Sequence, residues 1–556
     1  MAEEREQAAR DSRERKDRAA AVWCVFWFAA GSAIPFTTDR DASGVLAVFT
    51  VSAAFYGLLA ATWLRSRPSF RISAENRLRK GERFIRRIDA LTDRRYLISV
   101  WISFLVLWLP VYLALYPGTF GYDAPYQLGM YTGSSAWSAQ HPILHTLMLG
   151  FLVEDAGRLH LGSSIRGLAL YSAVQAAVTA YAIARSFLFM RKTGVPRPVR
   201  LGGWIWLAFN PFMQVLVFAS TKDILFGSFL LLFATDFAKA HRAEHPSRGK
   251  CLRTLASGTL MCLFRNQGVY MLLAALLLML LVFRRRILRR GRLRLAGLLL
   301  AAALLAEASS AAMAAAVHAE KGNLREMLSV PMQQLACAAY QQTEGKSRAL
   351  TGRELKAIEK LIPEEGIRRY TPSIADPVKE TFRTEVFLAD PGRFIRLYFR
   401  IGFRCPGLYA RAFWAMAAPF WDMSQNTFRY LSMQATPDPV TTWRDLGAHS
   451  RFPLLRDFLY GAVVTDDTAR LPVIGLLYEP GLVLTLLLAA FGVSLTRRKE
   501  RPALMLLLYI LYAATMLLGP VALLRYLWPV MLAAPLIAGS QSGTFSEGEA
   551  DHSKHF

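Results

Sequence analysis

"YPGTFGYDAPYQLGMYTGSSAWSAQHPILHTLMLG", residues 116–150, follows directly on one of the most apolar stretches of the chain, Tyr96–Tyr116. It opens on Pro-Gly and carries a single carboxylate, Asp123, followed by amides, aromatic residues and two histidines, His141 and His145. A polar, turn-rich passage where the chain leaves an apolar run is read according to the side of the membrane it faces. The fold reading therefore depends on the topology of the whole chain.

Of the 556 residues, 53% are hydrophobic, and the mean hydropathy is +0.26. Soluble chains of this length split into several cores and carry fewer long apolar runs. Here runs of the length that crosses ~30 Å of hydrocarbon recur: Tyr96–Tyr116, Gly167–Met190, Leu201–Ala219, Val269–Phe283, Leu295–Val317 and Val473–Leu495. The pattern predicts an all-α polytopic membrane protein. The first twenty residues are too charged, and too mixed in sign, for a cleaved signal peptide. They read as a cytoplasmic lead-in to the first span. The polar tail, 541–556, reads as disordered.

A net charge of +25 suggests nucleic acid until its location is considered. The excess sits in short loops between apolar runs. Residues 65–95 hold eleven basic and four acidic residues, and "RRRILRRGRLR" (284–294) holds seven arginines and no acid. "RKTGVPRPVR" (191–200) and "RRKER" (497–501) repeat the pattern. These are the marks of cytoplasmic loops under the positive-inside rule, so no nucleic-acid partner is expected. The five cysteines show no metal-ligand spacing, and only Cys337 and Cys405 share a polar segment where they could pair.

With every basic loop inside, the expected spans are 21–36, 45–64, 96–116, 166–190, 201–219, 224–239, 252–264, 268–283, 295–316, 473–495, 502–518 and 522–539. That gives about twelve, in the cell membrane, with both termini cytoplasmic. "HPILHTLMLGFLVEDAG" is short and interrupted by Glu154-Asp155. Counted as a span, it would push 191–200 outside. It is expected instead as an interfacial helix within an outer loop, 117–165. The layout predicted is a lead-in (1–20), two accessory spans with a basic loop (21–95), a core (96–316), an extracytoplasmic helical cap (317–472), C-terminal spans (473–540) and the tail.

This topology gathers cations on the side that should be poor in them. The outer turns "STKD" (220–223), "RNQG" (265–268) and "GPVALLRYLWP" (519–529) carry Lys222, Arg265 and Arg525. An anionic ligand at the outer membrane boundary would account for them. In the cap, "TGRELKAIEKLIPEEGIRRY" reads as an amphipathic helix and a turn. The basic, aromatic "RFIRLYFRIGFRCPGLYARAFWAMAAPFWDM" suits a helix along the interface.

In order, these features resemble the membrane glycosyltransferases of the GT-C fold, chiefly the protein-mannosyltransferase and aminoarabinose-transferase types, and more narrowly an uncharacterised group of bacterial multispan proteins. The resemblance is carried by the Asp123 loop, "HPILHTLMLG", "LGSSIRGLALYSAVQAAVTAYAIARSFL", "FNPFMQVLVFASTKDILFG", "LMCLFRNQGVYMLL" and "RYLWP". It spans roughly residues 96–290 and 500–540. It implies transfer of a sugar from a polyprenyl phosphate or pyrophosphate lipid to a glycan, lipid or protein acceptor on the outer face. Asp123 would be the general base of an inverting displacement. Lys222, Arg265, Arg525 and Tyr526 would bind the donor phosphate. Gln127, His141, Asp223, Asn266, Gln333 and Gln334 would position substrate or support the base. Family members with paired acidic residues in this loop suggest a Mg or Mn ion. Here no second carboxylate follows Asp123 until Glu154, and His141 and His145 lack a third ligand, so no metal site is named.

Plainer roles compete. An Asp after a turn often caps a helix, Lys222 and Arg265 can snorkel to headgroups, and Arg525 beside Tyr526 and Trp528 fits an aromatic belt. A transporter or lipid flippase remains an alternative, because Asn210-Pro211 can break a span. So does a non-catalytic envelope assembly protein with the cap as its interaction module.

Overall fold

The structure, a computed structural model, describes residues 2–33, 42–66, 88–121, 123–242, 246–282, 293–322, 324–421, 450–463 and 479–541. The expected tail beyond 541, most of the basic loops 65–95 and 284–294, and the start of the 473–495 span lie outside these residues. Among the described residues there are helices and isolated bridges but no strand.

The chain begins with α1 (Ala2–Ala33), α2 (Ala42–Ser66) and α3 (Asp93–Ala114), followed by two short helices, α4 (Ala124–Thr132) and α5 (Ile143–Gly150). A π-helical segment, Phe151–His160, leads into α6 (Ser164–Lys192), α7 (Arg197–Phe209), α8 (Pro211–Leu216) and α9 (Lys222–Arg242). Then come α10 (Arg248–Phe264), α11 (Gln267–Val282) and α12 (Leu293–Ala316). Seven helices follow between residues 324 and 421: α13 (Ser329–Thr343), α14 (Gly352–Leu361), α15 (Glu364–Arg368), α16 (Asp376–Thr381), α17 (Thr384–Ala389), α18 (Pro391–Arg404) and α19 (Pro406–Ala417). The chain closes with α20 (Pro453–Val463), α21 (Pro480–Thr496), α22 (Glu500–Met516), α23 (Leu524–Leu532) and α24 (Ala534–Gly539).

Four of these are long and apolar enough to cross a membrane: Asp93–Ala114, Ser164–Lys192, Lys222–His241 and Leu293–Ala316. Gln267–Leu281 and Gly481–Thr496 are apolar but shorter, so the described residues hold four helices of full spanning length and composition beside the twelve expected spans. The clearest correction is 201–219. Instead of one span, the chain breaks at Asn210. Its Oδ1 accepts from Phe212 N–H at 2.9 Å and Met213 N–H at 3.4 Å, while Pro211 supplies a fixed φ and no donor. The expected 522–539 span is likewise two helices, α23 and α24, meeting at Ala533 ahead of Pro535. At the N-terminus, the charged lead-in and the first span form one helix, α1.

The segment expected at the interface also differs. Helix α5 sits inside the bundle, with Ile143, His145, Thr146, Leu149 and Gly150 buried. Its polar residues can go inward because α4 and α6 supply hydrogen-bond partners. The π-helical segment after it crosses α6 where two glycines meet: a Cβ on Gly157 would lie 2.5 Å from Gly167 Cα. Ser163 starts α6 by accepting from Arg166 N–H at 3.3 Å, and Arg191-Lys192 close it, matching the helix dipole.

One large core, including Phe104, Trp108, Phe226, Tyr512 and Trp528, joins α3, α6, α9, α22 and α23. These helices have their own core, which includes Met332, Leu335, Ile358, Phe382, Phe394 and Ile401. Helix α14 begins with a capping box between Thr351 and Glu354, as its amphipathic sequence predicts. Cys337 and Cys405 are separate thiols. Hydrogen bonds that join residues 317–421 to the bundle include Ala375 N–H to Pro520 O at 2.8 Å and Ala139 N–H to Glu320 O at 2.8 Å, and Phe420 packs in the large core.

Candidate functional site

Two loops distant in sequence run side by side where α3 and α8 end. Ser220 N–H donates to Thr119 O at 2.8 Å, and Thr119 N–H to Phe218 O at 3.1 Å. The Ser220 hydroxyl adds a bond to Thr119 O at 3.0 Å and accepts from Gly121 N–H at 3.3 Å. Gly118, at φ 107°, lets the first loop pass against Ser172 and Phe218 where a side chain would collide. This pairing brings Asp123, at the start of α4, to Lys222, at the start of α9.

Asp123 occupies the N-cap position of α4, yet its side chain makes no capping bond. Its Oδ2 instead lies 2.9 Å from Lys222 Nζ and 3.6 Å from an Arg525 terminal nitrogen. Lys222 Nζ also donates to His141 Nδ1 at 3.1 Å, which fixes that nitrogen as the acceptor. The His141 ring stands 5.5 Å from the Tyr126 ring. Burial raises the affinity of Asp123 for a proton, but Lys222, then Arg525 and His141, outweigh it and hold the carboxyl well below the ordinary range. Burial, and then Lys222, lower His141 to about 4 against the pull of Asp123. His141 is therefore neutral at physiological pH.

A second carboxylate completes the cluster. Asp223, fully buried, pairs with Arg265 and lies 3.9 Å from Arg525 Nε. It also accepts from the Thr221 hydroxyl at 2.9 Å. Arg265 is buried too, donating to Gln267 Oε1 at 3.1 Å and lying over the Tyr526 ring at 5.0 Å. The Arg525 guanidinium lies 5.1 Å from the same ring, so one aromatic ring serves both arginines. Among the described residues, three cations thus lie with two carboxylates around a neutral histidine. Lysine and arginine side chains gathered in this way suit a phosphate or another anion.

Of the residues expected at the site, Asp123, Lys222, Asp223, Arg265, Arg525, Tyr526 and His141 are brought together. Asn266 sits beside them, donating to Ala139 O at 3.3 Å. Gln127 points into the bundle, meeting Thr146 Oγ1 and His145 Nδ1 at 3.0 Å each. Gln333 and Gln334 are not brought to the cluster. Gln333 donates to Thr371 O at 2.6 Å. Gln334 donates to Tyr409 O at 3.1 Å and accepts from the Tyr398 hydroxyl at 2.6 Å. Sequence reasoning missed Thr221, Tyr126 and Tyr512, whose ring lies 5.9 Å from Arg265. Only the Ser-Thr-Lys-Asp turn itself gave a signal for any of them.

The donor set does not fit a divalent metal. Both carboxylates are engaged by Lys222, Arg265 and Arg525, and no group of three or more His, Cys, Asp or Glu side chains among the described residues is placed to hold one.

Fold and site together define the class: an α-helical membrane protein with a buried, cation-rich cluster where its loops converge. Residues 130–541 match the family of unknown function DUF6020, and the chain belongs to that family. The match begins after Asp123 and takes in the other members of the cluster. No curated protein matches the chain. Among solved structures the chain is similar to the crystal structure of ArnT from Cupriavidus metallidurans bound to undecaprenyl phosphate. The identity is 14%, over 79% of this chain and 78% of that one. The TM-score is 0.30, a likeness too slight to carry an argument.

Proposed function

We propose that this protein is a membrane glycosyltransferase that takes a sugar from a polyprenyl phosphate or pyrophosphate lipid and passes it, with inversion, to an acceptor hydroxyl outside the cell. The observation that carries the reading is the convergence of Lys222, Arg525 and Arg265 on Asp123 and Asp223. The cations suit a phosphate, and the carboxylate beside them supplies a base.

Without donor, Lys222 neutralises Asp123 and makes it a poor base. When a phosphate enters, Lys222 and Arg525 turn to its oxygens, and the carboxylate, relieved of its partners, regains proton affinity. Asp123 then takes the acceptor hydroxyl proton as that oxygen attacks the anomeric carbon. The bond from that carbon to the phosphate oxygen breaks, and the charge left on the phosphate is held by Lys222 and Arg525. Asp223 and Arg265 hold Arg525 from behind. His141, accepting from Lys222, keeps its ammonium aimed at the site.

The test is turnover of a labelled polyprenyl-phosphate sugar by the purified protein in nanodiscs, wild type against Asp123→Asn. Loss of transfer with retained lipid-phosphate binding supports the base assignment. Transfer by a folded Asp123→Asn protein removes it. The broken α7–α8 segment favours a second reading, a lipid-phosphate flippase. Transbilayer movement of the labelled lipid without sugar release would select it.

A further inference from the structure

Helix α6 carries a row of polar side chains through the bundle interior: Tyr171, Ser172, Gln175 and Thr179 are all fully buried. Polar groups there cost several kcal/mol each unless they are hydrogen-bonded. Two of the four, Ser172 and Gln175, are satisfied by a single loop. Gln175 Nε2 donates to Val217 O at 2.9 Å and to Ala219 O at 2.8 Å. Between them, Phe218 O accepts from Thr119 N–H at 3.1 Å and from the Ser172 hydroxyl at 3.4 Å. Three successive carbonyls leading into the Ser220–Asp223 turn are thereby fixed.

The row continues beyond α6. Tyr171 OH donates to Gln175 Oε1 at 2.9 Å, and His145 Nε2 meets Tyr171 OH at 2.8 Å. His145 Nδ1 meets the Gln127 amide, whose other end meets Thr146 Oγ1. Donor counting sets the direction of this chain. Both Gln175 N–H groups face carbonyls, so its oxygen needs the Tyr171 proton. The Tyr171 oxygen must then accept from His145 Nε2–H. With the Gln127 oxygen toward His145, the ring would also need a proton on Nδ1, placing an imidazolium in a fully buried site near Lys222. Burial, and then Lys222, lower this histidine to about 3. Nδ1 is accordingly an acceptor, the Gln127 amide turns its N–H toward it, and the amide oxygen receives the Thr146 hydroxyl proton in place of that hydroxyl's 3.4 Å bond to Pro142 O.

We propose that His145 is a positioning residue: neutral and protonated on Nε2, it joins Thr146 and Gln127 to Tyr171, Gln175 and the Val217 and Ala219 carbonyls, fixing the loop that sets Lys222 beside Asp123. The consequence for lipid-phosphate binding rests on the transferase reading; the chain itself does not.

The full-length protein in nanodiscs, labelled with 15N-histidine and assigned by difference with His145→Gln, gives the tautomer by NMR. A neutral ring with hydrogen on Nε2 and a bare Nδ1 from pH 5 to 8 is expected. An imidazolium or an Nδ1–H tautomer overturns the proposal. Hydrogen exchange of the 217–223 amides is the second readout. Tyr171→Phe and His145→Leu speed it about tenfold, and His145→Gln, which offers an amide N–H near the Nε2 position, restores most of the protection. Unchanged exchange in both cut variants overturns the proposal, and if neither variant inserts, the wild-type NMR result decides. Undecaprenyl phosphate is the binding probe, and the cut variants weaken it about tenfold. A wild type that ignores this lipid, with tautomer and exchange as expected, removes the transferase reading and upholds the positioning role.

Discussion

Lys222 Nζ lies between Asp123 Oδ2, at 2.9 Å, and His141 Nδ1, at 3.1 Å, joining the 117–142 segment to the start of α9 through one ammonium group. The carboxylate that would act as base is therefore masked in this state by the cation that would hold the donor phosphate.

That masking predicts different effects for the two partners. Asp123→Asn lowers the transfer rate by roughly 10²–10⁴-fold and leaves lipid-phosphate affinity equal or tighter, because Lys222 is released. Lys222→Met weakens affinity as well as rate. Binding isotherms and single-turnover rates on the same preparations check this split, and equal loss of affinity in both variants contradicts it.

The Asp223–Arg265 pair is more deeply buried. Removing one partner strands a charge and costs about 3–5 kcal/mol. Asp223→Asn and Arg265→Met are thus each expected to lower the thermal midpoint strongly, and the double variant to lower it less than the sum of the two. Additive shifts would show that the two side chains are not coupled.

His141 gives the stability a pH dependence. Its folded value, about 4, lies below the ordinary histidine value of about 6.5. Between those limits the unfolded chain binds a proton that the folded chain refuses, so stability falls as pH drops from about 6.5 to 4. His145, lowered by burial to about 3, adds in the same direction. Asp123, held low, stays ionised in the folded protein throughout this window, and its contribution begins to be lost only below about pH 5, in the same direction. Thermal midpoints across pH 4–7 should flatten in His141→Gln relative to wild type, and an unchanged profile contradicts the assignment.

Gln333 and Gln334 make the opposite case. Their amides bond within the outer segment, Gln334 between Tyr398 and Tyr409. Gln334→Leu strands those partners and costs about 1–3 kcal/mol, while donor affinity and rate in the folded fraction stay as in wild type. A selective loss of sugar-donor affinity would restore the sugar-binding role that the sequence suggested.

The sequence by itself determined the class of protein and the identity of the cluster. Apolar runs of membrane-crossing length, loops sorted by charge, and cations on three turns that should have been bland are all local properties of the chain. They were enough to single out Asp123, Lys222, Arg265 and Arg525. Local pattern failed where partners come from elsewhere. Helix α5 looked interfacial because its run is short and interrupted by Glu154-Asp155, and no one-dimensional reading shows that Gln127 and Tyr171 satisfy His145 and Thr146 within the protein. The 201–219 run looked continuous because hydropathy does not register that Asn210 can cap the helix after it. Gln333 and Gln334 looked available because their partners, Thr371 and Tyr409, lie far along the chain. Only the tertiary structure decided that Asp123 is paired rather than capping, and that Asp223 belongs to the cluster. Charge pairing depends on distances of a few ångströms, and the folded backbone sets those distances by laying Thr119 against Ala219.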